Sequence, residues 1–266
     1  MDPNALILGA FYGLKKADVS VFVNSLFKTG YRGRLVLFAA AIDKETHEFL
    51  LNAGVTVLGY DHTQAHALMP IHAFRYFLYK NFLADVKESF SPVMLTDVRD
   101  VAFQRDPFDF QVSSGLHVFL EEQKTIGECP YNSLFVKERF GAEELAHLSA
   151  FRISCSGITI GPGAAIRAYL ERLCQLLLPS LKLVGYDQGA HNHLVHRRLL
   201  SDVTVHENGD GPVLTLGYMD PEMIKTDPGG LVIGRSGQVV NILHQYDRCG
   251  ALAQSWSVIT ENSTNR

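Results

Sequence analysis

The sequence has few cysteines, little net charge and no long apolar run, and each of these features excludes a class of protein. Its 266 residues include four cysteines and no CxxC pair, so we expect a reduced compartment rather than a disulfide-stapled secreted fold. The net charge of −4 gives no electrostatic basis for binding nucleic acid or an anionic membrane. No stretch reaches the roughly 18 to 20 apolar residues of a membrane span, and the N-terminus lacks the basic segment and cleavage site of a signal peptide. We therefore expect a cytoplasmic protein without a transmembrane segment. Peripheral attachment to a membrane, or an anchor in a longer native chain, stays open.

The sequence does have regularly spaced apolar segments in its first 110 residues. Apolar runs at 5–9, 34–40, 55–60 and 93–96 are predicted strands, and helical spacing appears at 19–27, at 43–52 and from residue 70. Strands that alternate with helices predict an α/β fold with a mixed, mainly parallel sheet flanked by helices. Later strands are expected at 116–122 and 151–161, and helices at 130–148, 164–178 and 187–200. Short strands and turns then dominate, and the last thirty residues show little pattern.

This pattern predicts a single compact domain made of two abutting halves. Residues 1–110 are predicted to form a nucleotide-binding half, and residues 111–255 a half that supplies a second ligand pocket, for an acceptor, and a C-terminal metal ligand. Residues 256–266 are predicted to be a tail.

A carboxylate pair follows the fourth predicted strand, in PVMLTDVRDVAFQRDPF (residues 92–108). Asp97 and Asp100 stand where a buried strand meets solvent, and two acids there are costly without a counter-charge. A divalent cation, Mn²⁺ or Mg²⁺, is the simplest partner. The structural alternative is a pair of turn or capping carboxylates, with Asp100 paired to Arg99 or Arg105.

Other polar residues also follow predicted strands, where open α/β sheets bind their ligands. His244 ends the apolar run of VVNILHQYDR and offers a third ligand to Mn²⁺, although a lone histidine is more often a core or surface residue. In AFYG (residues 10–13), Tyr12 can stack on a base beside Ala10, or the aromatics can simply fill the core. We do not favour zinc at the histidines 191, 193 and 196, because positions 191 and 196 are not an i, i+4 pair and HExxH is absent.

Two further segments carry candidate residues. Asp187 and Gln188 open a predicted helix after Gly185, where they can cap the helix or reach a sugar. Arg75 lies in the apolar stretch FRYFLY and is either a surface charge or part of the site.

Taken together, these motifs resemble those of the GT-A fold glycosyltransferases of family 8, the glycogenin and lipooligosaccharide galactosyltransferase group, which use nucleotide sugars. The resemblance covers about residues 5–250. It rests on an aspartate motif with Asp-Pro in register (MLTDVRDVAFQRDPF), on SGITIG, on a later DQ pair, and on a histidine after a C-terminal apolar strand.

The resemblance implies roles for individual residues. Asp100 and His244 look like ligands of Mn²⁺, Arg75 like the arginine that contacts the donor sugar and a carboxylate, and Tyr12 like the aromatic beside the base. Asp187 and Gln188 look like the pair near the donor sugar, where the glutamine of retaining members lies close to the anomeric carbon.

This sequence also departs from the family pattern. The motif is DxxD, so Val98 stands at the first carboxylate position, and Asp97 either reaches the metal or the ribose, or leaves Asp100 as the direct ligand. Cys155 stands where asparagine is usual before SG. Lys-Pro-Trp does not follow the histidine, so Arg248 is the nearest cation for the diphosphate.

The resemblance implies a metal-dependent hexosyltransferase. Its donor is a nucleoside-diphosphate sugar, with a UDP-sugar favoured and a GDP-sugar possible. Its acceptor is a hydroxyl of a glycan, a lipid-linked molecule or a protein, and retention is preferred; an inverting enzyme would need a base, for which Asp187 is the candidate. One alternative is a nucleotide-sugar-binding regulator or inactive transferase-like protein. A sugar-phosphate nucleotidyltransferase is less favoured, because GAFYGLKK poorly matches the glycine-rich, lysine-containing signature of such enzymes.

Overall fold

A seven-stranded sheet forms the centre of the computed structural model, which describes residues 2–63, 69–178 and 185–261. In sheet order the strands are β3 (Thr56–Gly59), β2 (Arg34–Ala40), β1 (Leu6–Tyr12), β4 (Val93–Thr96), β7 (Arg152–Gly161), β6 (Leu116–Thr125) and β8 (Val203–His206). The first four strands run parallel, β7 is antiparallel to both its neighbours, and β8 is parallel to β6. The predicted α/β class with a mixed, mainly parallel sheet is therefore confirmed.

Helices connect the strands and cover the sheet. They are α1 (Lys16–Lys28), α2 (Lys44–Asn52), α3 (Ile71–Asp85), α4 (Pro130–Phe140), α5 (Ala142–Leu148), α6 (Gly163–Leu177), α7 (Tyr186–His196) and α8 (Gly250–Glu261). Within the described ranges, none of these helices combines the length and the apolar character that crossing a membrane requires.

Both faces of the sheet are buried, because successive side chains of a strand point to opposite faces. In β1, Leu6 and Leu8 belong to a core cluster with α3, α6 and α7, whereas Ile7 belongs to a second cluster with α1. Burial on both faces explains why the strands read as continuous apolar runs rather than as alternating patterns.

In a smaller sheet, a strand from the C-terminal part of the chain pairs with a strand from the first half. It consists of β5 (Val101–Phe103), β12 (Ile242–His244) and β9 (Val213–Thr215), with β12 in the middle. Strand β12 runs antiparallel to β5, and their register pairs His244 with Val101. Since Val101 directly follows Asp100, this register brings His244 beside the carboxylate motif. A two-stranded ribbon of β10 (Lys225–Thr226) and β11 (Val232–Ile233) completes the strands of the described residues.

The structure differs from the predicted elements mainly near helix ends. The helical segment at 130–148 is two helices that meet at Gly141, whose φ of 89° suits glycine. The last thirty residues, which show little pattern, contain α8. The predicted tail at 256–266 thus overlaps a helix as far as Glu261, and its residues 262–266 lie outside the described chain.

Candidate functional site

Two adjoining cavities, each of about 460 Å³, open where β1 and β4 end. Ala10 and Tyr12 of the first predicted motif line one of them, which we call the β1 cavity. Gln188 and Arg248 line the other, which we call the α7 cavity. Arg75, Asp97 and His72 line both, so the predicted site residues surround one continuous cleft.

Asp97, Asp100 and His244 meet at the junction of the two cavities. Each offers one ligand atom, and these atoms all lie within 4.8 Å of one another. Nε2 of His244 is 3.2 Å from Oδ2 of Asp97 and 3.9 Å from Oδ1 of Asp100. Ligands that share one ion at about 2.1 Å lie about 3 Å apart when adjacent and about 4.2 Å apart when opposite. The spacing therefore suits a single divalent cation.

The surroundings of the three side chains also fit a metal. Two carboxylates and one imidazole are donors that Mn²⁺ accepts, and Mg²⁺ accepts the oxygens. Gly157 of β7 leaves the necessary space, because a Cβ there would lie 2.6 Å from Oδ2 of Asp97 and 2.7 Å from Nε2 of His244. The group could hold a metal ion, and the same geometry leaves the identity of the ion open.

The two carboxylates of the motif have different electrostatic surroundings. Burial would raise the pKa of Asp97, but Arg75 and His244 outweigh it and hold this pKa well below its usual range. Burial raises the pKa of Asp100, and the charge of Asp97 raises it further. Arg99, which the sequence offered as a partner for Asp100, instead forms an ion pair with Asp247 at 3.0 Å.

His244 is almost fully buried and lies beside the carboxylates of Asp97 and Asp100. Burial lowers its pKa, but Cys155, Asp97 and Asp100 outweigh that effect and hold the pKa of His244 well above its usual value. Its Nδ1 is 3.4 Å from Sγ of Cys155 on β7.

Arg75 is a buried part of the site and not a surface charge, since only 6% of it is exposed. Its guanidinium pairs with Asp97 and lies 3.4 Å from Oδ2 of Asp187. The pKa of Arg75 stays well above its usual value, because these acids and neighbouring tyrosines outweigh the effect of burial. Arg75 thus connects the carboxylate motif to the start of α7.

Asp187 and Gln188 enter the α7 cavity from the first turn of α7. Gly185 caps this helix in a left-handed conformation, with φ of 76°, and a Cβ there would lie 2.0 Å from the ring of Phe135. Among the described residues, the hydrogen bonds of the Asp187 and Gln188 side chains run to residues outside α7 and not to the N-terminus of this helix. Ser156 instead donates to Oδ2 of Asp187 at 3.3 Å and to Oε1 of Gln188 at 3.4 Å.

Glu121 is a buried carboxylate in the α7 cavity that the sequence motifs do not identify. Glu121 is 2% exposed, and its Oε1 accepts a hydrogen bond from Nε2 of Gln188 at 3.2 Å. Burial raises its pKa, an effect that His244, Cys155 and Gln188 partly offset. The available signal was an acid directly after the apolar run LHVFL. Asn132, whose Oδ1 accepts from the same Nε2 at 3.0 Å, carried no such signal.

The remaining candidates lie at the rim of the cleft or outside it. Tyr12 is 41% exposed, and its ring lies 4.7 Å from that of His62. The histidines of the zinc alternative take separate partners: His191 bonds Ser154 and Tyr169, His193 bonds Glu144, and His196 bonds the carbonyl of Arg152. Within the described residues, the group of potential metal ligands is therefore Asp97, Asp100 and His244.

Comparison with known proteins identifies the fold. The sequence matches no protein-family model and no curated protein. The structure is similar to that of the galactosyltransferase LgtC in complex with donor and acceptor sugar analogues, with a TM-score of 0.61 and 14% identity over 97% of this chain and 95% of that one. A glutamine-to-glutamate active-site mutant of LgtC gives a TM-score of 0.56 and 14% identity over 94% of this chain and 95% of that one. The expected GT-A fold is thereby confirmed.

Proposed function

We propose that the chain is a metal-dependent glycosyltransferase that moves a hexose from a nucleoside-diphosphate sugar to a hydroxyl acceptor with retention. The observation that carries the proposal is the group of Asp97, Asp100 and His244 at the junction of two cavities. A diphosphate bound at this junction would place its nucleoside in one cavity and its sugar in the other.

The two cavities suit the two ends of such a donor. In the β1 cavity, the exposed ring of Tyr12 can stack on a base, beside Ala10. In the α7 cavity, Arg75, Asp187 and Gln188 present charged and amide groups that can bind sugar hydroxyls. This assigns the nucleoside to the first cavity and the hexose to the second.

The residues of the junction would stabilise the leaving diphosphate. A bound divalent cation supplies Lewis-acid neutralisation of the charge that develops on the leaving group. Arg248, which lines the α7 cavity, adds a second positive charge on the same side of the cleft. Asp100 and His244 hold the ion and are neither acid nor base in the reaction.

Retention is supported by the place of Gln188 rather than by a strong base. Its amide lies between Glu121, Asn132 and Ser156, so its orientation is fixed in the cavity assigned to the hexose. Asp187, the candidate base for inversion, is 3% exposed and lies beside Arg75, which favours a role in binding. Retention needs no strong protein base if the leaving phosphate takes the acceptor proton.

Two properties of the structurally similar proteins support the same assignment. LgtC is a galactosyltransferase that binds a donor and an acceptor sugar analogue, and one LgtC mutant replaces a glutamine of its active site. The preference for a UDP-sugar over a GDP-sugar rests on the family resemblance. The acceptor is a hydroxyl of a glycan, a lipid-linked molecule or a protein.

The test is incubation of the chain with a panel of UDP- and GDP-sugars and Mn²⁺, with released nucleotide as the measurement. Slow release of UDP or GDP, abolished by EDTA, supports a transferase. Nucleotide binding without release indicates the regulator, and pyrophosphate formation from a sugar phosphate and a nucleoside triphosphate indicates the nucleotidyltransferase.

Variants connect this activity to the metal group. Asp100→Ala and His244→Ala should abolish Mn²⁺-dependent release and leave the chain folded. Asp85→Ala, which removes an exposed acid at the end of α3, is the matched control. Near-normal release by Asp100→Ala would refute the assignment of the metal site.

A further inference from the structure

A line of buried side chains extends from His244 away from the carboxylate motif. Nδ1 of His244 is 3.4 Å from Sγ of Cys155. Cys155 and Glu121 line the same α7 cavity, and Glu121 lies two residues beyond Phe119, the strand partner of Cys155. Oε1 of Glu121 in turn accepts a hydrogen bond from Nε2 of Gln188 at 3.2 Å. His244, Cys155 and Glu121 are each no more than 2% exposed, so water does not compete for these contacts.

The direction of the imidazole assigns its two nitrogens. Nε2 faces Asp97 at 3.2 Å and Asp100 at 3.9 Å, so it is the nitrogen that would bind a metal. A histidine that ligates through Nε2 is neutral and carries its proton on Nδ1. That proton needs an acceptor, because a buried donor without a partner is destabilising. The acceptor in the structure is Sγ of Cys155.

The thiol is suited to this position. The sulfur can accept from Nδ1 of His244 and from the amide of Gly157, also at 3.4 Å. Its own S–H is then left for a second partner, and Glu121 lines the same cavity.

We infer that Cys155 is a positioning residue that holds His244 in the metal-binding orientation and tautomer and joins it to Glu121 and Gln188. This inference rests on the proposed function, because it assigns the support of the same metal site. Outer partners of metal-binding histidines usually change metal affinity about 10- to 100-fold when they are removed.

Three variants separate the hydrogen bond from mere packing. Cys155→Ala removes the sulfur, whereas Cys155→Ser keeps a group that accepts and donates. Cys174→Ala is the matched control, since Cys174 is 1% exposed but lies in the core cluster on α6. The expected dissociation constant for Mn²⁺ rises about tenfold or more in Cys155→Ala. Most of this loss is restored in Cys155→Ser, and Cys174→Ala matches the wild type.

The experiment titrates MnCl₂ into each full chain with saturating UDP, using the electron paramagnetic resonance of free Mn²⁺ to measure binding. Nitrogen-15 NMR of the metal-free proteins reports the Nδ1 proton of His244 independently, as a slowly exchanging signal in the wild type and in Cys155→Ser but not in Cys155→Ala. Equal Mn²⁺ affinities of Cys155→Ala and the wild type would overturn the inference, as would a Cys155→Ser variant as weak as Cys155→Ala.

Failure of the proposed function gives a different result. If the wild-type chain binds no Mn²⁺ with UDP present, the metal-dependent transferase itself is refuted, and the inference with it. If the wild type binds Mn²⁺ and releases nucleotide while all cysteine variants behave alike, the transferase stands and the role of Cys155 is refuted.

Discussion

Gly157→Ala should damage the metal site while leaving the sheet in place. The added Cβ would lie 2.6 Å from Oδ2 of Asp97 and 2.6 Å from Cε1 of His244, whereas ordinary contacts are 3.4–4 Å. The neighbours must therefore move by about 0.8 Å, more than the roughly 0.5 Å within which a functional group must be held. Asp97 is tied to Arg75 and the ring of His244 is buried, so neither can yield without losing a partner.

The magnitude follows from two opposing effects. A glycine-to-alanine change gains about 0.4–1 kcal/mol by restricting the unfolded chain, and overpacking costs about 1–3 kcal/mol. We therefore expect Gly157→Ala to lower the free energy of unfolding by at most about 2–3 kcal/mol. The affinity for Mn²⁺ should fall about tenfold or more, as for the loss of a supporting partner.

Gly59→Ala provides the control, because a Cβ at Gly59 in β3 would meet nothing within 4 Å. The free energy of unfolding of this variant should rise by about 0.4–1 kcal/mol, because alanine restricts the unfolded chain. The variant should bind Mn²⁺ like the wild type. Urea denaturation measures the stabilities, and titration with MnCl₂ and UDP measures the affinities. A folded Gly157→Ala chain that binds Mn²⁺ as tightly as the wild type would show that the metal is held elsewhere.

The remaining predictions concern three other positions. Gln188→Ala should lower kcat for nucleotide release more than it weakens UDP binding; a selective loss of binding would contradict its place beside the sugar. Arg75→Met should lower the free energy of unfolding by about 3 kcal/mol, the low end for a broken buried pair, because buried Asp187 and half-buried Asp97 lose their cation while Asp97 keeps His244 and Asp187 keeps Ser156; a change below about 1 kcal/mol in urea denaturation would contradict this. Burial lowers the pKa of His191 to about 3, so the unfolded chain takes up its proton near pH 6.5 and the folded chain does not. The contribution of His191 to the free energy of unfolding should therefore be fully present above pH 6.5, and it should fall by up to about 1.4 kcal/mol per pH unit between pH 6.5 and pH 3. Urea denaturation of His191→Gln should show a shallower fall, and equal slopes would refute the assignment.

The strands were predictable where burial leaves a simple mark on the sequence. The apolar run RLVLFAA predicts β2 over the same residues that the structure shows, 34–40, because both faces of this strand are covered. Helix α8 was not predictable in the same way, since the last thirty residues show little pattern. The segment 130–148 divides into two helices at Gly141. The sequence does not predict this division, because a continuous helix can also contain a glycine.

The site was predictable only where its residues lie in local motifs. Asp97, Asp100 and Gln188 stand at predicted strand or helix ends, which is why the sequence identifies them. Glu121 and Cys155 lie inside strands β6 and β7, and their importance comes from what faces them across the sheet. That relation depends on the antiparallel pairing of β6 with β7 and on the return of β12, which sequence spacing does not encode.

The difference between the two acids of the motif follows from their partners. Arg75 and His244 both favour the charged form of Asp97, and Arg75 would still do so if His244 became neutral on metal binding. Asp100 has a raised pKa, and its ion-pair partner is His244 at 3.9 Å. A metal bound through Nε2 requires a neutral His244, so Asp100 then depends on the ion for its counter-charge. We therefore expect Arg75 to keep Asp97 charged with or without an ion, and the charge of Asp100 to depend on metal binding.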